Sequence, residues 1–358
     1  MTNTNPRNYE RLPSNHSLSR LSSFWEGKTV LVTGGAGFIG SHLVESLVTM
    51  GASVRIADSF TNGSAENLKD VSESIHVVSC DLTNSSNCIE ACQGVDVVMN
   101  LAAKVAGVGY NTNHSSEMFL SNVRIGMNML EAARQTKVEK FLCVSSACVY
   151  SREAPVPTNE KDGFLLDPEP SNLGYGWAKR VLEVQSKLYA EQYAMKIAIV
   201  RPFNTYGPRD HFDSKFGHVI PSLLLRVTYG ENPLVVWGDG KQTRSFVFVS
   251  DVVRGMLMSI EKYATADPIN IGSDEEISIG DLAHLVVDLV GSRTKITFDP
   301  SKPKGQPRRC PDVTKAKTEI GFEAKTKLYD GLRTTISWLR EGGHARGIHP
   351  IETSAFKA

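Results

Sequence analysis

The stretch KTVLVTGGAGFIG, Lys28 to Gly40, constrains this chain more than any other: an apolar run (Val30, Leu31, Val32) enters a glycine cluster, and an amphipathic segment, His42 to Met50, follows. A short apolar run stopped by glycines reads as a strand, and apolar residues at helical spacing after it read as a helix. Gly34, Gly37 and Gly40 let the backbone turn tightly, come close to an anion and pack the new helix on the strand. The first amides of such a helix, aided by its dipole, hold phosphate, so the unit is predicted to bind a dinucleotide through its pyrophosphate. A second strand, Ser53 to Ile56, leads to Asp58, which lies 58 − 40 = 18 residues past Gly40. That is close to the offset at which a carboxylate meets ribose hydroxyls. Its charge repels a 2′-phosphate, so NAD is expected rather than NADP.

Charge excludes several other classes. Lys plus Arg and Asp plus Glu each number 39, whereas nucleic-acid and membrane-surface binding both draw on a net basic field. No nucleic-acid or membrane partner is expected, and any anionic ligand must be met by individually placed arginines. No apolar run approaches the ~18 residues of a membrane span, and the N-terminus lacks a basic-then-apolar leader, so a cytoplasmic protein is expected. Cys80, Cys88, Cys92, Cys143, Cys148 and Cys310 show no metal-type spacing. They read as reduced thiols, with no metal site.

Residues 1–27 are polar and aperiodic and read as a flexible arm whose Phe24 and Trp25 dock locally. From Lys28, short apolar strands (Val30–Val32, Ser53–Ile56, Ile75–Ser79, Val95–Leu101, Lys140–Ser145, Lys196–Arg201) alternate with helical stretches, among them Asn122–Thr136 and Gly176–Tyr193. The alternation predicts an α/β fold: a doubly wound, parallel-sheet Rossmann domain over 28–202, with a return segment at about 244–262. The looser pattern over 203–340, with strands Leu234–Trp237 and Ser245–Val249 and helices Ile220–Thr228 and Ile279–Val290, reads as a smaller mixed α/β substrate lobe. Residues 341–358 read as a tail.

Tyr175 and Lys179 in YGWAK lie one helical turn apart on one face. Such a pair is common surface decoration. Downstream of a dinucleotide turn and the Ser145–Ser146 pair it gains a chemical meaning: an ammonium beside a phenol lowers its pKa, making Tyr175 a base for a hydroxyl proton as hydride leaves.

With these residues in view, the chain resembles the extended short-chain dehydrogenase/reductase family of nucleotide-sugar enzymes. The likeness runs in order through TGGAGFIG, Asp58, the CDL of Cys80–Leu82, NLAA at Asn100–Ala103, SSACVY at Ser145–Tyr150, YGWAK, RPFNTYGP at Arg201–Pro208, QTRSFVFVSD at Gln242–Asp251 and RRCPD at Arg308–Asp312. It implies a catalytic trio of Ser146, Tyr175 and Lys179, and Asp81 at the adenine. It further implies that Phe38, Ile39, Leu82, Leu101, Ala102, Ala103 and Pro202 line the cofactor alongside the glycines. A nucleotide-diphosphate sugar is the implied substrate, met by Lys104, Ser146, Asn204, Arg244 and Arg309, and a homodimer formed through the helices at Asn122 and Gly176 is the implied assembly. Arginine forks suit phosphate oxygens, although a lone arginine is ordinarily solvated or salt-bridged, and sequence does not separate Arg308 from Arg309.

The two residues after Ser146 bear on the reaction. The related 4,6-dehydratases carry Asp and Glu there, and Ala147 and Cys148 stand in this chain, which removes the dehydration acid. A cysteine at this place resembles GDP-mannose 3,5-epimerases and GDP-L-fucose synthases, and the latter pair it with a histidine in an HVIP segment, here His218–Pro221. AAKV at Ala102–Val105 also looks like the fucose-synthase segment. Thiol and imidazole, with ordinary pKa values of about 8.5 and 6.5, exchange protons near neutrality. Read alone, a buried cysteine packs as a small hydrophobe and a histidine before a helix caps or packs. The expected activity is an NAD-dependent epimerase acting through a transient 4-keto sugar, with Cys148 and His218 inverting C3 and/or C5. The alternatives are a simple 4-epimerase, an NADPH-consuming 4-keto-sugar epimerase/reductase of fucose-synthase type, and a dinucleotide-sensing scaffold, against which the retained Ser146, Tyr175 and Lys179 weigh.

Overall fold

Short runs of β-branched and aliphatic residues, alternating between two faces, build the central sheet. In the computed structural model, which describes residues 22–105, 108–212, 218–302 and 305–342, seven strands lie in the order Thr265–Ile271, Lys196–Pro202, Lys140–Val144, Val97–Asn100, Thr29–Thr33, Ser53–Asp58, Ile75–Ser79. Every pairing is parallel, with Val32 opposite Ile56 on one side and Met99 on the other. Val97–Asn100 is buried at each position, as a central strand covered on both faces must be.

Successive side chains of Thr29–Thr33 feed different cores. Val30 and Val32 pack with Leu43 and Leu47 of helix Phe38–Thr49 and with Val252 and Met256 of helix Val249–Lys262. Leu31 points the other way, toward Met129 and Leu130 of helix Ser115–Gln135 and Leu182 of helix Leu173–Tyr193. A third core, including Tyr206, Leu224, Leu234, Leu282 and Ile336, joins helices Val219–Thr228, Ile279–Val290 and Leu328–Arg340 to short strands beyond the sheet. The strand order reverses between Thr29–Thr33 and Val97–Asn100, which opens a crevice at the carboxyl ends of these strands. The fold is the expected α/β class, Rossmann-like.

Some elements depart from the sequence reading. The seventh strand, Thr265–Ile271, has no counterpart in the apolar pattern of the sequence, which Asp267–Pro268 interrupts. It is tolerated at the sheet edge, where the register shifts between Thr265 and Pro268. Ser245–Val249, read as one strand, is divided: Thr243–Ser245 pairs with Glu276–Ser278 and Arg308–Arg309, Val247–Phe248 pairs with Thr205–Tyr206, and Val249 begins a helix. Trp25, expected to dock with Phe24 at the end of the arm, does so: it is fully buried, with Phe24 edge-on at 4.8 Å. Residues 1–21 of that arm and 343–358 of the tail lie outside the described residues. Among the described residues, no helix is long and apolar enough to cross a membrane.

Candidate active site

The glycine turn closes because two positions admit no side chain. Gly34 sits at φ +68, where L residues are strained, and a Cβ there would lie 3.0 Å from Ala102 Cα. A Cβ on Gly40 would lie 2.1 Å from Gly34 O. Helix Phe38–Thr49 starts at Gly37 with no side chain capping it, so the amides of its first turn, including those of Phe38 and Ile39, are without a side-chain cap. Asp58 rims the turn: its Oδ2 accepts from Ala36 N at 2.9 Å and its Oδ1 from Phe60 N at 2.8 Å. Opposite, Thr33 Oγ1 donates to Asn100 Oδ1 at 2.9 Å and accepts from Ala102 N at 3.0 Å, which lays Leu101, Ala102 and Ala103 along the crevice. An uncapped helix start behind a cradle that a methyl group would fill, edged by a carboxylate, fits a dinucleotide. Leu82 is buried, Asp81 is exposed and turns its Oδ1 to Thr83 N at 2.8 Å, and Pro202 is half-buried at the end of its strand.

The residues expected to carry the chemistry converge from two elements. Lys140–Val144 ends at Ser145, and Ser146 opens a short turn, Ala147–Val149, by accepting from Cys148 N at 3.1 Å. The Ser146 hydroxyl also hydrogen-bonds the Tyr175 phenol. The first turns of helix Leu173–Tyr193 are held against this turn: a Cβ on Gly176 would lie 2.4 Å from Cys148 O, and Arg180, fully buried, donates through Nε and Nη2 to Val149 O at 2.9 and 2.7 Å. Lys179 Nζ stands 5.4 Å from the Tyr175 ring centroid and donates to Val144 O at 2.8 Å.

The expected lowering of the tyrosine pKa by this lysine is corrected. Burial pushes the Tyr175 phenol well above its ordinary value, the Cys148 thiol beside it adds to the rise, and only the Ser146 hydrogen bond opposes them. Burial likewise pulls Lys179 down. The ammonium spends its hydrogen bond on a carbonyl, so desolvation dominates.

Behind this group lies a buried scaffold that the sequence reading missed. Arg201 forks onto Glu183 with Nε at 2.8 Å and Nη2 at 2.7 Å, both side chains being essentially inaccessible, and Ser145 Oγ donates to Glu183 Oε1 at 2.5 Å. Arg201 Nη1 reaches Tyr150 Oη at 2.9 Å, whose hydroxyl donates to Asn270 Oδ1 at 2.5 Å. A buried ion pair with its remaining hydrogen-bond sites filled is costly to break, and this one fixes the strand end from which Ser146 projects.

The arginines separate cleanly. Arg308 is forked onto Glu276, with Nη2 2.5 Å from Oε1, whereas Arg309 Nη2 points to Cys148 Sγ at 3.9 Å. Half-buried Arg244 is pulled down to about 10, by burial first and by the Arg309 charge second. Two guanidinium groups held together this way favour a ligand with two negative charges. Among the other residues expected at the substrate, Asn204 Nδ2 donates to Ser245 O at 2.8 Å, and Lys104 is ion-paired with Glu117 and lies 5.6 Å over the Tyr110 ring. His218 lies outside the contacts that gather Ser146, Cys148, Tyr175, Lys179 and Arg309. It precedes helix Val219–Thr228 without capping it, its side chain is 52% exposed, and its Nδ1 lies 3.2 Å from Asp210 Oδ1. Neither capping nor core packing therefore accounts for it. Asp210 gave no signal in the sequence, because an aspartate eight positions before a histidine belongs to no recognisable motif.

Known proteins resemble this chain over most of its length. Residues 30–272 match the model of the NAD dependent epimerase/dehydratase family. The chain is 35% identical over 322 residues to a dTDP-4-dehydro-6-deoxy-D-allose reductase of Streptomyces sp, covering 88% of this chain and 97% of that one. It is 32% identical over 326 residues to GDP-mannose 3,5-epimerase 1 of Oryza sativa subsp. japonica, covering 89% and 84%. Among solved structures, UDP-glucose 4-epimerase of Thermotoga maritima with UDP-glucose superposes with a TM-score of 0.81 at 28% identity, covering 88% of this chain and 99% of that one.

Proposed function

We propose that this chain, which belongs to the NAD dependent epimerase/dehydratase family, is a nucleotide-sugar epimerase that retains NAD, works through a transient 4-keto sugar and inverts C3 and/or C5. The observation that carries this reading is the Cys148 thiol. It stands where a dehydratase would place an acid, beside the Tyr175 phenol and in contact with Arg309.

Tyr175 acts as the phenolate, to which Ser146 donates a hydrogen bond; it takes the proton of the sugar 4-hydroxyl and is left as the neutral phenol. The buried Lys179 ammonium, 5.4 Å away, adds positive charge that a neutral phenol hardly feels but a phenolate does. NAD⁺, when bound, supplies the hydride acceptor and returns the hydride at the end. A ketone at C4 acidifies the hydrogens on C3 and C5, and Cys148 and His218 move protons to and from those carbons from opposite faces. Arg244 and Arg309 hold the diphosphate, with Asn204 and Lys104 at the sugar nucleotide. Asp58, its carboxylate already fixed by two amides, disfavours a 2′-phosphate and so supports NAD.

A second reading, an NADPH-consuming reductase of a 4-keto sugar, is favoured by the 35% identity to the Streptomyces reductase and by the HVIP segment. We further propose a homodimer. Leu173, Trp177, Val181, Val184 and Leu188 form one stripe of their helix, and the first three of them line, with Phe119, an open apolar groove of about 410 Å³. Six free cysteines support a reducing, cytoplasmic setting.

The test is to denature the purified protein, identify the released dinucleotide, and follow GDP-, UDP-, dTDP- and CDP-hexoses by NMR in deuterated water. NAD and solvent deuterium at C3 or C5 are expected, and Tyr175→Phe should abolish both turnover and label. Unlabelled product inverted only at C4 would replace the proposal with a 4-epimerase, and stoichiometric NADPH consumption would replace it with the reductase.

A further inference from the structure

The arrangement that nothing above explains is the carboxylate behind His218. The Asp210 side chain is 1% exposed, whereas the His218 side chain is 52% exposed. His218 Nδ1 lies 3.2 Å from Asp210 Oδ1 and 3.5 Å from Oδ2, and Oδ1 also accepts from His211 N at 2.7 Å. The backbone carrying Asp210 is pinned from helix Phe38–Thr49: Pro208 O meets His42 Nε2 at 2.9 Å, and Arg209 is ion-paired with Glu45. Arg209 is held at φ +67, a conformation a non-glycine residue adopts at a cost and keeps only where its surroundings enforce it. A carboxylate withdrawn from water thus faces one nitrogen of an imidazole whose other side is open.

We propose that Asp210 is a positioning residue for His218, accepting Nδ1–H so that Nε2 is the nitrogen that exchanges protons with the sugar carbon. This rests on the reading of His218 as a proton-moving group. In the neutral ring the proton sits on Nδ1 and the lone pair on Nε2. Nε2 takes a proton from the carbon beside the ketone, leaving an enolate, and the imidazolium so formed is held by the Asp210 carboxylate. Delivery of that proton to carbon, or its exchange with water, restores the neutral ring with no change in oxidation state. Among the described residues, the charge that faces the imidazole is that of Asp210, which raises its pKa above the ordinary value. Arg209 is ion-paired with Glu45, and His42 is turned to Pro208 O.

The experiment is NMR of the full chain labelled with ¹⁵N-histidine, the His218 signals being identified by their loss in His218→Asn. Wild type should show the Nδ1–H tautomer when neutral and titrate above an unpaired imidazole. Asp210→Asn should lower that midpoint, and Asp210→Glu should recover it in part. In deuterated water, with whichever nucleotide hexose turns over, Asp210→Asn should slow label uptake about 10- to 100-fold while leaving sugar-driven reduction of the bound dinucleotide unchanged. An Nε2–H tautomer in wild type overturns the proposal. So does an unshifted His218 midpoint in a folded Asp210→Asn protein. Label uptake surviving in His218→Asn would instead remove the acid–base role of the histidine, and the NMR would still decide whether Asp210 sets its tautomer.

Discussion

His42 makes the fold acid-sensitive by an amount that follows from its surroundings. The ring is 6% exposed, its Nε2 is engaged by Pro208 O at 2.9 Å, and its Nδ1 is buried with no partner among the described residues. A second proton would have to go on that Nδ1, near the Arg209 guanidinium, and the pKa is accordingly lowered from 6.5 to about 3, mainly by burial. Because the folded value lies below the unfolded one, the unfolded chain binds the extra proton. Stability is therefore full above pH about 6.5 and is lost as pH falls toward 3. At pH 5 the unfolded state gains a factor of roughly 30 from this one group, or about 2 kcal/mol. His42→Gln keeps a donor for Pro208 O but does not titrate. Denaturant unfolding of both proteins at pH 7.5, 6 and 5 should show the variant gaining on wild type by about 2 kcal/mol between the first and last points. Curves that stay parallel would refute the reasoning.

Two further outcomes follow from steric and apolar features. Gly40→Ala puts a methyl 2.1 Å from Gly34 O, so the turn must open; dinucleotide binding should weaken by about tenfold or more, read by titration calorimetry, and unchanged affinity would exclude the glycine cradle as the binding site. Trp177→Glu places a charge in the proposed dimer face, and the dissociation constant should rise at least about 30-fold by light scattering across a dilution series, whereas an unchanged mass would exclude that face.

What the sequence disclosed and what it hid divide along a physical line. The glycine turn, the alternating strands and the Tyr175–Lys179 pair are local signals, since each is set by residues within a turn or two of one another, and all were legible. Strand Thr265–Ile271 escaped because edge strands tolerate a proline that an inner strand would reject. Arg308 and Arg309 looked alike because adjacent residues on an extended segment face opposite ways, one to Glu276 and the other to Cys148. The scaffold of Ser145, Glu183, Arg201 and Asn270 joins four separate elements, so no spacing could reveal it. The tyrosine was misjudged for a related reason: neighbouring charge can be read from a motif, but depth of burial depends on everything packed around it.

The clasp of Gly176 and Arg180 on the Ala147–Val149 turn has an evolutionary corollary. Ser146, Cys148, Tyr175 and Lys179 are cast as one piece, while Arg244, Arg309 and His218 arrive on separate segments. On the proposed reading, drift among the latter retargets the molecule to another sugar without recalibrating its oxidising half. Under the proposed function, a single exchange at position 148, inside the casting, changes the kind of reaction performed.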